Sequence, residues 1–216
     1  MPHRGVAAGK SRLSAVMPDA TRGELNRWLL ARTLHIAAAW LGEAQRCMVV
    51  SPCAQTLALA TDAGAMALPE QPSTPGLNIA LAHAAATAAT LGAQQVLVLP
   101  CDLPLLDCAA LQAMTSLRVD GAEVIAPDRH GSGTNALLVD AGVRDFAFGA
   151  GSYARHCALA AARGSRALAC AHAALAFDLD TVEDFWQWQR SGGVMPSFLA
   201  DSPLSVCRRG SIMPPL

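Results

Sequence analysis

Short runs of apolar residues, many of them β-branched, alternate along the chain with longer stretches whose apolar residues recur at spacings of three and four. The short runs are typical of buried strands, and the longer stretches are typical of helices that bury one face. The clearest helix spans residues 21–41 and ends at Gly42, and the clearest strand spans residues 95–99. This alternation predicts an α/β fold, in which we expect the strand at 95–99 to lie in a parallel sheet.

The same patterns predict the remaining elements and one domain boundary. Further strands are predicted at 47–50, 65–68, 124–126, 136–139 and 175–180, and further helices at 54–63, at 77–91, from the N-cap Asp107, at 149–163 and from Thr181. Residues 1–190 are predicted to form a single domain. Residues 191–216 contain four prolines, three glycines and no helical periodicity, so we expect a flexible C-terminal tail there.

Composition and charge exclude several classes of protein. The chain has 216 residues, 52% of them hydrophobic and 15% charged, with a formal net charge of −1. This balance lacks the basic excess that binding to nucleic acid requires, and no apolar stretch is long enough to span a membrane. The first residues lack the pattern of a secretory signal, and the seven cysteines include no Cys-x-x-Cys pair. We therefore expect a cytoplasmic protein that binds neither nucleic acid nor membrane.

Three aspartates lie at the ends of predicted strands. Asp102 comes directly after the strand at 95–99, where open parallel sheets place their ligands. Asp178 and Asp180 alternate along the last predicted strand, so their carboxylates are expected on one side of the sheet. Like charges repel, and a hard divalent cation is the usual reason to tolerate them. The three residues therefore predict a Mg²⁺ site; the alternative is that Asp102 satisfies a turn and Asp180 caps a helix.

Two glycine-rich segments are candidates for binding an anion. Glycines allow backbone amides to approach a phosphate, and a helix N-terminus adds unpaired N–H donors and a positive dipole end. The polar loop at 127–135 and the turn at 149–152, which opens a helix, both have this character. The candidate residues are Arg129, Thr134, Asn135, Gly149 and Ser152.

A short basic segment near the N-terminus contains the sole lysine of the chain. Residues 5–11 resemble a P-loop, but only three residues separate the two glycines and no buried strand leads into them, which argues against a Walker A site. Lys10 and Arg12 could instead neutralise a polyphosphate, and the alternative is a solvated basic N-terminus.

Six motifs occur in an order that resembles a known family. They are Lys-Ser-Arg-Leu-Ser at 10–14, Gly-Leu-Asn at 76–78, Leu-Pro-Cys-Asp-Leu-Pro at 99–104, the run Ala-Pro-Asp-Arg-His-Gly-Ser-Gly-Thr-Asn-Ala-Leu at 126–137, Phe-Gly-Ala-Gly-Ser at 148–152 and Asp-Leu-Asp-Thr-Val-Glu-Asp at 178–184. Over residues 9–190 the chain resembles the 2-phospho-L-lactate/phosphoenolpyruvate guanylyltransferases of coenzyme F-420 biosynthesis.

The resemblance implies a fold and a reaction. The fold would be three-layered and Rossmann-like, with the mostly parallel sheet of nucleotide-diphospho-sugar transferases. The reaction would be Mg²⁺-dependent transfer of GMP from GTP to the phosphate of a small three-carbon acid, with release of pyrophosphate. The acceptor could be phosphoenolpyruvate, 2-phospho-L-lactate or 3-phosphoglycerate.

The resemblance also implies roles for individual residues. Matching positions would assign the metal to Asp102, Asp178 and Asp180, the phosphoacid to Thr134, Gly149 and Ser152, the leaving pyrophosphate to Lys10 and Arg12, and guanine to Gly76 and Asn78.

The chain departs from the family at its start. Family members begin with a buried strand before the Lys-Ser-Arg segment, whereas nine residues, none of them strand-like, precede Lys10 here. We therefore expect the sheet to lack its first strand. One alternative is then that the chain is an N-terminally incomplete relative that binds nucleotide but does not catalyse the reaction. A nucleotidyltransferase with another acceptor, such as a sugar phosphate or molybdopterin, is a second alternative, against which the loop at 129–135 argues. Whether the chain forms a homodimer is left open.

Overall fold

The computed structural model describes residues 1–6 and 9–200. In chain order the elements are α1 Asp19–Leu41, β1 Met48–Ser51, α2 Ala54–Asp62, β2 Met66–Pro69, α3 Leu77–Thr90, β3 Gln95–Val98, α4 Cys108–Ser116, β4 Ala122–Pro127, β5 Thr134–Asp140, α5 Ser152–Ala162, β6 Arg166–Ala169, α6 Ala173–Ala176, α7 Val182–Arg190 and α8 Ser197–Ala200. Short 3₁₀ turns occur at Ser11–Leu13 and Ala44–Arg46. The α/β class is confirmed.

The strands form two sheets, a parallel one and a mixed one. β1 and β2 pair in parallel, and a four-stranded sheet has the order β3-β5-β4-β6. In the latter β3, β4 and β6 run in the same direction, because β5 is antiparallel to both β3 and β4 and β6 is parallel to β4. The expectation of a mostly parallel sheet is therefore confirmed, whereas the expectation that β3 pairs in parallel is wrong for its described partner, β5. The loop at 128–133 is too short for the crossover that a parallel connection from β4 to β5 needs.

The N-terminal segment extends the smaller sheet. The Val50 N–H donates to the Met1 carbonyl at 3.0 Å, and the His3 N–H donates to the Val50 carbonyl at 3.0 Å, so that Pro2 bridges to Val50 in parallel. Among the described residues no full strand precedes β1. The expectation that nothing before Lys10 is strand-like is nevertheless wrong, because three residues without an apolar pattern take their extended form from the β1 edge.

Two expectations near the C-terminal end also need correction. The predicted strand at 175–180 is wrong, since α6 ends at Ala176 and residues 177–180 belong to no strand. They are held instead by the Leu179 N–H, which donates to the Asp102 carbonyl at 2.9 Å. Strand β6 was not predicted because its residues, Arg-Ala-Leu-Ala, are not β-branched.

The larger sheet is covered on both faces by helices. On one face Ala136 and Leu138 of β5 pack with Leu111 of α4, and on the other Leu137 and Val139 pack with α3 and α5. The alternation of side chains along a strand explains this division. The result is the expected three-layer arrangement.

The chain remains packed beyond residue 190. Leu199 of α8 is buried at 2% exposure in a cluster with Phe185 and Trp188 of α7. The predicted tail therefore begins with a packed segment, and residues 201–216 lie outside the described residues. None of the described helices is both long and apolar enough to cross a membrane.

A buried ion pair joins β4 to α5 and yields a stability prediction. Arg163 donates to both carboxylate oxygens of Glu123, at 2.9 and 2.7 Å, and Glu123 is 3% exposed. Arg163→Met should leave this carboxylate unpaired and lower the free energy of unfolding by about 3 kcal/mol, measured by urea denaturation. Arg166→Met, at an exposed position, should change it by less than about 0.5 kcal/mol; equal losses in the two variants would contradict the prediction.

Candidate functional site

A cavity of about 980 Å³ opens at the carboxyl ends of β1, β2 and β3. Its walls come from the N-terminal segment, the residues that follow these strands, the start of α3 and the loop before α5. The volume lies at the upper end of the range usual for small-molecule sites, about 300–1,000 Å³. Its charged or titratable lining consists of His3, Arg4, Lys10, Arg12, Cys101, Glu70, Asp102 and Asp180.

Lys10 brings together two of the predicted aspartates. Its Nζ lies 3.9 Å from Asp102 Oδ2 and 3.8 Å from Asp180 Oδ1, and it donates to the Leu179 carbonyl. The lysine side chain is 7% exposed, whereas the carboxylates are 36% and 45% exposed. Lys10 has a φ of 50°, the one positive φ among the described non-glycine residues. This left-handed backbone directs the sole lysine of the chain between carboxylates that are far apart in sequence.

Asp178 is close enough to Asp102 and Asp180 for their charges to affect its pKa. Burial raises the pKa of Asp178, and the carboxylates of Asp102 and Asp180 raise it further, while a backbone hydrogen bond and Arg129 oppose the shift. The described residues include no cluster of three acidic, histidine or cysteine side chains close enough to hold a metal. Oxygen ligands from one or two carboxylates nevertheless suit Mg²⁺, which usually takes the rest of its shell from water and phosphate. The carboxylate oxygens present therefore fit Mg²⁺. The assignment of Asp102, Asp178 and Asp180 together as its ligands stays a prediction.

Arg129 fixes the backbone beside Asp180. Its guanidinium pairs with Asp184 and lies over the Phe177 ring, 5.1 Å from the centroid. Asp184 in turn accepts hydrogen bonds from the N–H groups of Asp180 and Thr181, at 2.9 and 2.7 Å. Arg129 does not line the cavity, so the structure gives it a positioning role. Its predicted contact with the substrate stays a prediction.

Thr134 belongs to a buried chain of hydrogen bonds outside the cavity lining. The Ala147 N–H donates to His156 Nε2 at 3.1 Å, and His156 Nδ1 lies 2.9 Å from Thr134 Oγ1. Burial, with Arg155 and Arg163 nearby, lowers the pKa of His156 to about 4, so the ring is neutral at pH 7. Because Nε2 accepts, Nδ1 carries the proton and donates to Thr134. The hydroxyl proton of Thr134 is then available for another acceptor.

The other predicted anion-binding residues are divided between two environments. Gly149 lines the cavity, whereas Ser152, at the start of α5, is 2% exposed and does not. Asn135 is 8% exposed, and its Nδ2 is a buried donor without a hydrogen-bond partner among the described residues. Such a group costs about 1–3 kcal/mol and calls for a ligand or water. The role of these residues in binding substrate stays a prediction.

Asn78 contacts a loop, not the open cavity. Its side-chain Oδ1 accepts from the Phe148 N–H at 2.8 Å, and its Nδ2 donates to the Phe148 carbonyl at 3.2 Å. The amide is thereby engaged on both sides, which favours a positioning role over the predicted contact with guanine. Gly76 does line the cavity, and its N–H donates to Glu70 Oε1 at 2.7 Å.

Three cavity residues were missed by the sequence analysis. His3, Arg4 and Glu70 carry no motif, and they line one cavity only because the N-terminal segment and β2 pack on opposite sides of β1. The His3 Nδ1 accepts from the Gly5 N–H at 3.2 Å. Burial, with Lys10 nearby, lowers the pKa of His3 to about 4, so this ring too is neutral at pH 7.

Comparison with known proteins decides the family. Residues 1–190 match the family described as "Guanylyl transferase CofC like". The chain belongs to this family. That match spans all the predicted site residues, from Lys10 to Asp180, and the resemblance drawn from the motifs is confirmed.

Individual relatives support the assignment. The chain is 38% identical over 197 residues to a phosphoenolpyruvate guanylyltransferase of Rubrobacter xylanophilus, covering 90% of this chain and 94% of that protein. It is also 38% identical over 184 residues to a 3-phospho-D-glycerate guanylyltransferase of Phenylobacterium zucineum, covering 84% of each. A solved structure described as a nucleotide-diphospho-sugar transferase, from Desulfovibrio desulfuricans, superimposes with a TM-score of 0.62 at 18% identity, over 96% of this chain and 91% of that one. This last likeness confirms the expected fold.

The clamp between Asn78 and Phe148 can be tested by mutation. Asn78→Ala removes both partners of the Phe148 backbone and should lower the free energy of unfolding by about 1–2 kcal/mol, measured by urea denaturation. Asn78→Asp keeps the acceptor for the Phe148 N–H and should lose less. If the two variants are equally stable, the bond from the Phe148 N–H to Oδ1 contributes nothing and the clamp is misassigned.

The two neutral histidines predict a fall in stability in mild acid. In the unfolded chain their pKa is about 6.5, so protonation below that pH favours unfolding. Their contribution is fully present above pH 6.5 and is lost as the pH falls towards 4. The free energy of unfolding, measured by urea denaturation, should fall between pH 7 and pH 4. In His156→Gln this fall should be smaller by about 3 kcal/mol. A pH dependence identical to that of the unmodified protein would contradict the assignment.

Proposed function

We propose that this chain transfers GMP from GTP to the phosphate of a small three-carbon phosphoacid and releases pyrophosphate, as a step in coenzyme F-420 biosynthesis. The observation that carries the proposal is the cluster of Lys10, Asp102 and Asp180 at the rim of a large cavity, in a chain of the guanylyl transferase family. Relatives named for phosphoenolpyruvate and for 3-phospho-D-glycerate support this acceptor class.

The acceptor's own phosphate is the nucleophile in this proposal. A phosphate monoester has a second pKa of about 6, so it is largely ionised at neutral pH and needs no general base. One of its oxygens forms a bond to the α-phosphorus of GTP, while the bond from that phosphorus to the bridging oxygen of the β-phosphate breaks. The electron pair leaves with pyrophosphate, and no proton has to move.

The protein's part in this reaction is alignment and neutralisation of charge. Two polyanions must meet, and their repulsion is the main barrier. Lys10, Arg12 and Arg4 line the cavity, where they can bind the triphosphate and the leaving pyrophosphate. Asp102 and Asp180, with Asp178 alongside, would hold Mg²⁺, which when bound supplies Lewis-acid charge to phosphate oxygens. The Mg²⁺ requirement and a homodimer stay predictions.

The assignment of Asp102 can be tested directly. Asp102→Asn keeps the shape of the side chain and removes its charge, so it should abolish pyrophosphate release from GTP, Mg²⁺ and phosphoacid while leaving the midpoint of urea unfolding unchanged. Asp62→Asn, at an exposed position of α2, should retain full activity. Near-normal turnover of Asp102→Asn would remove Asp102 from the site.

The acceptor and donor are identified by the same assay. Pyrophosphate release should be measured with GTP and each of phosphoenolpyruvate, 2-phospho-L-lactate and 3-phosphoglycerate, with ATP and CTP as control donors. We expect turnover with one of these acids and with GTP as the preferred donor. Turnover that requires a sugar phosphate instead would support the alternative acceptor class, and binding of GTP without any turnover would support a non-catalytic relative.

A further inference from the structure

Three carboxylates line the cavity, and one of them is not near Lys10 in the ion-pair network. Asp102 and Asp180 both lie within 4 Å of the lysine ammonium. The third, Glu70, follows β2, and its N–H donates to the Ser51 carbonyl at 3.0 Å. Glu70 is therefore held at the carboxyl end of the smaller sheet, on the wall formed by β1 and β2.

The Glu70 carboxylate is oriented but far from saturated. Its Oε1 accepts from the Gly76 N–H at 2.7 Å, and within the described part of the chain this is its one hydrogen bond. An ionised carboxylate offers about four acceptor positions and no donor. The remaining positions, including all of those on Oε2, are available to a ligand that presents N–H groups.

The two ends of the cavity differ in charge. In the smaller sheet β1 lies between β2 and Met1–His3, and two strand spacings amount to about 10 Å. The N-terminal segment leads into the basic residues Arg4, Lys10 and Arg12, of which Lys10 pairs with Asp102 and Asp180, whereas Glu70 lies at the β2 end. A triphosphate fits the basic end and would be repelled by Glu70. The far end of the same nucleotide is its base, and apolar Leu77 and Ala80 line the cavity beside Glu70 and Gly76.

We propose that Glu70 reads the guanine base of the nucleotide and determines the choice of GTP over ATP. Its free carboxylate positions accept the N1–H and N2–H₂ groups of guanine, which lie side by side on one edge of the base. Adenine presents an unprotonated N1 at the corresponding position, and a carboxylate repels that acceptor. Gly76 fixes the carboxylate through its N–H, and Leu77 packs against the base. This inference rests on the proposed function, because it takes GTP as the donor.

The test compares GTP with ITP, whose base lacks the 2-amino group. The unmodified protein should use GTP with a kcat/KM about tenfold or more above that for ITP, since a hydrogen bond to a charged group is at stake. Glu70→Gln and Glu70→Ala should lower kcat/KM for GTP by about 10- to 100-fold, chiefly through KM. Both should bring the ratio of GTP to ITP towards one. Glu43→Gln, exposed and outside the cavity lining, should behave like the unmodified protein.

Two results separate base recognition from a structural role. If both Glu70 variants lose activity with GTP and ITP by the same factor, Glu70 only holds the Gly76 loop and the inference is overturned. If the unmodified protein transfers GMP and Glu70→Ala keeps the original ratio, the inference fails while the proposed function stands.

Calorimetry with GDP and IDP makes the inference independent of turnover. Tighter binding of GDP than IDP, with the difference lost in Glu70→Ala, supports base recognition even if no phosphoacid is an acceptor. Equal affinity of the unmodified protein for GDP and IDP overturns it.

Discussion

The arrangement of the site depends on one buried ammonium. Lys10 Nζ lies between the carboxylates of Asp102 and Asp180 and donates to the Leu179 carbonyl, so it joins the N-terminal segment to the residues after β3 and to those before α7. A charge buried to this degree is tolerated only when it is paired. The left-handed backbone of Lys10 adds a cost of about 1–3 kcal/mol, which these contacts must offset. In the proposed reaction, Lys10, Asp102 and Asp180 are also the groups that the two phosphorylated substrates and a divalent cation would contact.

Backbone clamps hold the loops around this cluster. Asp184, paired with Arg129, binds the N–H groups of Asp180 and Thr181, and Asn78 binds both polar groups of Phe148. Reactions governed by alignment of charges require groups that do not reorganise. Arg129 and Asn78, which the sequence predicts to bind substrate, therefore hold in place residues that face the cavity.

The cavity combines opposite charges in a way that suits a nucleotide better than a simple polyanion. A site for phosphate alone would be basic throughout, whereas here Glu70 lies at the end of β2, and β1 separates it from the N-terminal segment that leads to Arg4, Lys10 and Arg12. Under the proposed function, the acidic end would bind a group rich in N–H donors, and the basic end would bind phosphates. Membership of the guanylyl transferase family is consistent with both ends.

The α/β class, most helix ends and the family could be predicted from the sequence. Gly42 ends α1 with a φ of 77° and Asp107 caps α4 through the Ala110 N–H, because capping depends on a few adjacent residues. The tertiary structure decided what depends on distant partners. The direction of β5 and the extended form of Met1–His3 follow from neighbouring strands. Asp178 and Asp180 approach Asp102 without forming the predicted strand, and Glu70, which no motif marks, reaches the cavity only because β2 packs beside β1.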